Sequence, residues 1–324
     1  MSATPPMSAN APVSSRGETE TVVVGAGPAG LTAALALARY RQRVVLVDSR
    51  RAPRNSASGG VHGHVGLDGA TPAEIRSRAW KELSRYATVE LVEADVDGVR
   101  TTDGGRFQVG LDSGDTVEAA TVLLATGVMD IHPADVEGFS ACWGRSVIHC
   151  PFCLGEENAD RRWGVVVDNA ELAMFSAVAF RAWSSDTVAI CRESMPGVEG
   201  ARTAAQSMGG DVVTGTISRL HHRQGALYAV EFDDGRVLER ETLVWTPAQR
   251  QQPVVARAID ELKLTADDEG YLTVDDMQCT NVPGLYAAGD LASRWKQSFT
   301  SAAAAGATAA EAIHASLILS AVRH

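Results

Sequence analysis

TVVVGAGPAGLTAALALARYRQRVVLVDS, residues 21–49, is an apolar run, a glycine-rich turn, an Ala/Leu-rich helical stretch and a second apolar run. That alternation predicts a strand, a helix and a second strand in parallel, the βαβ unit. Its turn reads Gly25-x-Gly27-x-x-Gly30, with Pro28 and Ala29 between the last two glycines. Each glycine has its own physical reason: the tight turn, a bare backbone that a pyrophosphate can approach, and close packing of helix on strand. The phosphates would sit at the helix N-terminus, where free N–H groups and the helix dipole favour negative charge. Asp48, at the end of the second strand, is placed to accept hydrogen bonds from an adenosine ribose. A Gly-rich turn alone is weak evidence; strand, helix and acid in register make a dinucleotide site the expectation.

Outward from this unit, residues 1–19 are rich in Ser, Pro and Ala without periodicity and read as a disordered tail. The 324 residues, 45% hydrophobic, suit one large or two modest domains. A net charge of −11 argues against a nucleic-acid partner. No run of apolar side chains approaches the ~20 needed to span a bilayer and no signal peptide is visible, so a cytoplasmic protein without a membrane partner is expected. No repeat of fixed period points to a solenoid. Five scattered cysteines do not form a secreted disulfide framework.

Only HCPFCLGEE, residues 149–157, sets two cysteines close together, Cys150 and Cys153. The pair can be a redox couple, half of a metal site or an accident of loop composition. A zinc site needs two more ligands, and Cys142, Cys191 and Cys279 form no second C-x-x-C, so no metal is expected. Two further stretches, TVLLATG (121–127) and GLYAAGD (284–290), read as short strands ending in small-residue turns, at Thr126-Gly127 and Gly289-Asp290.

Together with the N-terminal turn these stretches resemble the paired signatures of FAD-dependent pyridine-nucleotide-disulfide oxidoreductases. With the C-x-x-C between them, nearly the whole chain resembles low-molecular-weight thioredoxin reductases. The resemblance implies an α/β fold with two Rossmann-like domains, the second inserted in the first: an FAD domain from 20–134 plus 247–324, and an NADPH-type module over 135–246. It implies a homodimer. It also implies flavin contacts from Gly25, Gly27, Pro28, Ala29, Gly30, Asp48, Arg54, Asn55, His62, Val96, Thr126, Gly127, Gly289, Asp290, Lys296 and Gln297.

The inserted module departs from the family at its own nucleotide turn. In WGVVVDNAELAMFSAVAFRAW (163–183), Asp168, Ala170 and Ala173 stand where G-x-G-x-x-G/A belongs, so side chains obstruct the turn and a carboxylate repels pyrophosphate. Arg192 alone replaces a basic cluster for a 2′-phosphate. Without a hydride donor, electrons would enter through thiols and leave the flavin for oxygen. That pattern resembles the thioredoxin-reductase-like dithiol oxidases that close disulfides in natural products such as gliotoxin, holomycin and romidepsin. RNSASGGVHGHVGLDGATPAEI (54–75) matches their Arg-Asn, Ser, His-Gly and Asp-Gly pattern at Arg54, Asn55, His62, Gly63, Asp68 and Gly69. The resemblance implies a small-molecule dithiol substrate, O2 as acceptor and H2O2 as product. Cys150, the N-terminal and more exposed partner, would exchange with substrate, and Cys153 would lie nearer the flavin. Those oxidases carry histidine after the second cysteine, whereas here Leu154 stands there, which leaves His149 and Glu157 as the nearest bases. An NADPH-dependent reductase, a flavin-binding redox sensor and another sulfur reaction in a biosynthetic pathway remain alternatives.

Overall fold

The computed structural model describes residues 19–322 apart from Arg50 and Asn55. The tail expected over 1–19 lies outside the described residues except for Thr19, which already belongs to the first strand. In chain order the elements are β1 (Thr19–Val24), α1 (Pro28–Arg39), β2 (Val44–Asp48), α2 (Pro72–Leu83), β3 (Val89–Glu93), β4 (Val96–Thr101), β5 (Phe107–Leu111), β6 (Thr116–Leu124) and β7 (Val128–Ile131). The middle of the chain supplies α3 (Phe139–Cys142), β8 (Val147–Ile148), α4 (Pro151–Leu154), β9 (Trp163–Val166), α5 (Ala170–Ala179), β10 (Thr187–Cys191), α6 (Val198–Ser207) and β11 (Asp211–Thr214). After these come β12 (Ile217–Arg223), β13 (Ala226–Phe232), β14 (Val237–Leu238), β15 (Thr242–Trp245), β16 (Ala248–Gln251), α7 (Pro253–Leu262), β17 (Leu285–Ala287) and α8 (Phe299–Val322).

Two compact units result. One takes the chain up to Pro53, Ala73–Met129 and the chain from Arg250; the other takes Arg54–Pro72 and Asp130–Gln249. Residues 54–72, expected in the FAD domain, thus cluster with the second unit. The reason is local: Arg54 grips Asp130 with two hydrogen bonds, and a side chain on Gly144 would meet Ala57 at 3.0 Å.

In the first unit the sheet order is β3-β2-β1-β6-β5-β4, with β17 also paired to β6. β1, β2, β3, β6 and β17 run parallel, while β4, β5 and the start of β6 form an antiparallel meander. The two halves of β6 carry different patterns because they have different neighbours. Thr116 to Ala119 alternates exposed and buried, whereas Val122, Leu123 and Leu124 are all buried, as a central parallel strand requires. One face of the sheet packs on Val255, Ala258 and Leu264, and the other on α1 and α8.

α8 corrects one expectation. It is 24 residues of mean hydropathy 1.3 over its most apolar window, long and apolar enough to cross a membrane. Its apolarity comes from Ala and Gly rather than large side chains, so no strongly hydrophobic run stands out in the sequence. Ala302, Gly306, Ala309, Ala310 and Ile313 are its buried face, packed with Ala33, Ala34 and Leu37 of α1.

In the second unit, β11-β10-β9-β15-β8 form an all-parallel sheet beside a three-stranded antiparallel sheet β12-β13-β14. Ile148, Trp163, Val165, Phe180 and Val244 form a core cluster, with Leu154 and Trp183 packed against it.

A Cβ on Gly306 would lie 2.1 Å from the Ala29 carbonyl oxygen, so helix α8 approaches α1 at backbone distance. Gly306→Val is expected to destabilise the protein by about 1–3 kcal/mol through overpacking. Urea unfolding measures it, and an unchanged midpoint would contradict the close contact.

Candidate functional site

The first glycine-rich turn is built as its spacing predicts. Gly25 has φ +104°, and a side chain on it would meet the Ala125 carbonyl oxygen at 2.5 Å. A side chain on Gly30 would meet the Gly25 carbonyl oxygen at 1.9 Å. Gly27 is different: nothing lies within 4 Å of where its Cβ would be, so packing within the protein does not account for a glycine there. A bare backbone facing open space at the start of α1 is a cradle that a side chain would fill, and it fits a pyrophosphate. The Ala26 N–H donates to Asp48 Oδ1 at 2.8 Å, tying the turn to the end of β2, and Asp48 also pairs with Arg76.

Other predicted cofactor residues of the first unit stand at strand ends and turns. Thr126 and Gly127 follow β6, with the Thr126 hydroxyl donating to the Gly127 carbonyl. Ala288 N–H donates to the Leu124 carbonyl, which sets the Gly289-Asp290 turn beside the end of β6. Gly289 has φ +95°, with its Cβ position 3.2 Å from the Ala29 side chain. Gln297 Nε2 donates to the Ser293 carbonyl and Lys296 N–H to the Ser293 hydroxyl. Val96 opens β4 and packs on the core. Asn55 lies outside the described residues.

The corresponding turn in the second unit is closed from within. Asn169 caps α5, its side chain accepting from the Leu172 N–H at 2.9 Å, and its amide donates to Asp168 Oδ1 at 3.2 Å. One of the free helix donors that a phosphate would use is therefore taken by the protein, with a carboxylate beside it. Ala173, at the third glycine position, is fully buried: a small residue still packs helix on strand there, although the turn no longer offers a binding backbone.

Cys150 and Cys153 form a disulfide, with Cα atoms 5.3 Å apart. Cys150 follows β8 and caps α4, whose first residue is Pro151, a position where the missing N–H costs nothing. A side chain on Gly155 would meet the Pro151 carbonyl oxygen at 2.3 Å and the Trp183 ring at 3.0 Å, so the turn after α4 requires glycine. Leu154 packs on the Trp163 and Phe180 cluster, and that position serves the core. Asn158, 2% exposed, fastens the pair to the sheet. Its amide donates to the Leu154 carbonyl and its carbonyl accepts from the Trp163 indole, while Thr242 and Arg161 donate to its side-chain oxygen.

A cavity of about 240 Å³ opens beside the disulfide, lined among others by His62, Asp68, Phe152, Cys153, Glu157 and Trp183. Cys153 lines it together with Pro151 and Phe152 of α4. Phe152, 79% exposed, stands edge-on to Trp183 with ring centroids 5.7 Å apart. His62 Nδ1 is 3.2 Å from Glu157 Oε1 and 3.6 Å from Asp68 Oδ1. The structure thus joins His62 and Glu157, which the sequence alone assigns to different roles.

Arg54, His149 and Asp130 form a second group. Arg54 Nε and Nη2 donate to Asp130 at 2.6 and 2.8 Å, and Gln249 Nε2 donates to the same carboxylate at 3.0 Å. The pair is largely buried, with 13% and 4% of the side chains exposed. Burial, then the Arg54 charge, lowers the His149 pKa to about 4, against the opposing pull of Asp130. A ring this weakly basic is a poor acceptor for a thiol proton at neutral pH. Sequence reasoning misses Asp130, Asn158 and Trp183, because a lone polar or aromatic residue in a loop carries no spacing signal. Burial raises the thiol pKa of Cys142, Cys191 and Cys279, leaving them less thiolate than a free cysteine.

A family model described as pyridine nucleotide-disulphide oxidoreductase matches residues 19–309. "Thioredoxin reductase tcpT" of Claviceps purpurea is 30% identical over 84% of this chain and 86% of its own length. "Thioredoxin reductase aclD" of Aspergillus oryzae is 29% identical, over 84% and 88%. Among solved structures, HlmI superposes with a TM-score of 0.83 at 32% identity, covering 94% of this chain and 96% of that one. An oxidoreductase from Agrobacterium tumefaciens gives 0.82 at 29%, covering 93% and 99%.

The low His149 pKa has a consequence for stability. Between its ordinary 6.5 and about 4 the unfolded chain binds a proton that the folded protein does not. The contribution is therefore fully present above about pH 6.5 and is lost as pH falls towards 4, on the order of 1–3 kcal/mol. His149→Asn is expected to flatten the acid side of the stability curve. Urea unfolding of both proteins across this range tests it, and parallel curves would contradict a neutral buried ring.

Proposed function

The chain belongs to the pyridine nucleotide-disulphide oxidoreductase family, and on that premise we propose that it is an FAD-dependent dithiol oxidase. In this reading it closes an intramolecular disulfide in a small-molecule dithiol through the Cys150–Cys153 pair, with O2 as acceptor and H2O2 as product. The observation that carries the direction is the α5 entrance, where Asn169 takes the Leu172 N–H and Asp168 stands beside it. A nicotinamide dinucleotide has no bare turn there, whereas the first unit keeps one at Gly27.

Gly25, Gly27, Pro28, Ala29 and Gly30 would hold the FAD pyrophosphate on the α1 N-terminus, with Asp48 and Val96 towards the adenosine. Thr126, Gly127, Gly289, Asp290, Lys296 and Gln297 would hold the rest, and Asn55 is kept as a candidate by resemblance. Arg54, engaged by Asp130, has the character of a clamp on its own loop. When bound, the flavin supplies the two-electron acceptor that a cysteine pair lacks on its own.

The chain's own residues provide the exchange. A substrate thiolate attacks the Cys150–Cys153 disulfide, and the second substrate thiol closes its ring and releases both cysteines reduced. The cavity suits a small dithiol: the exposed Phe152 and Trp183 offer an apolar wall. On the same resemblance we propose a cytoplasmic homodimer with no nucleic-acid or membrane partner. The names of the relatives, thioredoxin reductases, favour a second reading, an NADPH-dependent disulfide reductase.

Anaerobic mixing separates the two. Dithiothreitol is expected to bleach the flavin within a turnover and NADPH to bleach it far more slowly. Cys150→Ser or Cys153→Ser is expected to abolish bleaching by the dithiol. Rapid, saturable bleaching by NADPH would overturn the oxidase reading, and bleaching that persists in both variants would remove the cysteine pair from it.

A further inference from the structure

A single helical turn does not hold itself together in water. α4 runs from Pro151 to Leu154, and its backbone is closed by two long bonds, from the Cys153 and Leu154 N–H groups to the Cys150 carbonyl, at 3.3 Å each. While the disulfide is formed, the turn is also closed covalently. Once the pair is reduced that link is gone, and other contacts must keep the two thiols together.

Both ends of the C-x-x-C turn are fastened to one strand. On the Cys150 side, β8 pairs with β15 in the register Val147–Leu243 and Ile148–Val244. Just beyond β15, the Thr246 hydroxyl donates to the His149 carbonyl at 3.1 Å. On the Cys153 side the link is Asn158. Its amide donates to the Leu154 carbonyl at 2.9 Å, and its side-chain oxygen accepts at 3.2 Å from the hydroxyl of Thr242, the first residue of β15. Arg161 Nη1 donates to the same oxygen at 2.9 Å, and the Trp163 indole, at the start of β9, donates to the Asn158 carbonyl at 2.9 Å. These neighbours fix which way round the amide sits, because a carbonyl can only accept and a guanidinium can only donate. Asn158 is 2% exposed and Thr242 is fully buried, so removing either partner leaves a buried polar group unpaired.

Resting on the redox role that the oxidase reading gives Cys150 and Cys153, we propose that Asn158 is a positioning residue. Anchored on β15, it holds the reduced thiols in disulfide geometry and so sets how readily the pair is reoxidised. Two thiols on a loose segment spend most of their time apart, and closing the bond then costs the entropy of bringing them together. A clamp on the Leu154 carbonyl removes that freedom from the reduced state in advance and raises the effective concentration of one thiol at the other. The oxidised turn gains less from the clamp, since the S–S bond already closes it.

The sign follows from this difference. Loss of the Asn158 side chain frees the reduced turn more than the oxidised one, so the dithiol gains relative to the disulfide. The pair becomes a stronger oxidant of substrate and a poorer donor to the next acceptor. On reoxidation Cys150 and Cys153 form one S–S bond, release two protons and pass two electrons to the bound flavin. A clamp that favours the disulfide drives that step forward.

The test equilibrates the flavin-loaded protein anaerobically with graded ratios of reduced to oxidised dithiothreitol. Thiols are trapped with N-ethylmaleimide, and modified Cys150 and Cys153 are counted by mass spectrometry. Asn158→Ala is expected to shift the midpoint about tenfold towards the dithiol, which is about 30 mV for a two-electron couple. Thr242→Val removes one anchor of Asn158 and is expected to shift the midpoint the same way by less. Val230→Ala truncates a separate core cluster and is expected to lower stability to urea without moving the midpoint. An unmoved midpoint in Asn158→Ala, or in Thr242→Val where Asn158→Ala does not fold, overturns the proposal. So does a shift towards the disulfide, or an equal shift in Val230→Ala, since general loosening would then account for it. If Asn158→Ala moves the midpoint and Thr242→Val does not, the anchoring on β15 is overturned. The oxidase reading can fail separately: rapid bleaching by NADPH overturns it and leaves the midpoint shift standing.

Discussion

The carbonyl oxygen of Gly25 stands where a side chain on Gly30 would have to be, 1.9 Å from its Cβ position. That contact lets α1 lie on the sheet at backbone distance, and Gly306 repeats the device from the other side of α1. Were either glycine to carry a side chain, the helix would have to lift off its neighbours. The open backbone at Gly27 exists because the residues around it are packed this closely. Dense packing at Gly25 and Gly30 thus flanks one open position at Gly27.

The two units solve the same local problem in opposite ways. Both have a strand, a turn and a helix, and both bury a small residue where helix meets strand, Gly30 in one and Ala173 in the other. The first leaves its helix donors free, whereas the second satisfies one with Asn169. A cap of this kind stabilises a helix by about 1 kcal/mol. The second unit therefore keeps the architecture of a nucleotide domain and improves its own stability at the place where a nucleotide would bind. Its chemistry is concentrated at α4, which is held to the sheet through buried Asn158.

Periodic signals make most of the fold legible in the sequence: continuous apolar runs mark the parallel strands, and glycine spacing marks the turn before α1 as its absence marks the turn before α5. That 121–127 and 284–290 contain strands follows from apolar runs that end in small residues, whereas their pairing is a fact of the fold. What spacing does not carry is long-range pairing of single side chains. His62 has the look of an ordinary loop histidine because Glu157 is distant in sequence, and nothing in VMDIHP marks Asp130 as the partner of Arg54. Leu154 reads in sequence as a missing catalytic group, yet it is explained by Trp163 and Phe180, which the fold brings beneath it. α8 is hard to see as an apolar helix because its hydropathy is spread over many small residues.

The division of the chain also has a consequence for how the molecule is made. The first unit is assembled from three separate stretches, and its sheet lacks β17 and its helix layer lacks α8 until the chain beyond Arg250 is available. The second unit draws on nothing beyond Gln249. During synthesis, which runs from the N-terminus, the cysteine-bearing unit can finish while β1 and α1 still expose the faces that α8 will cover. Its low demand for late residues makes it the natural first folding unit, with α1 a waiting surface and α8 the step that closes the first core.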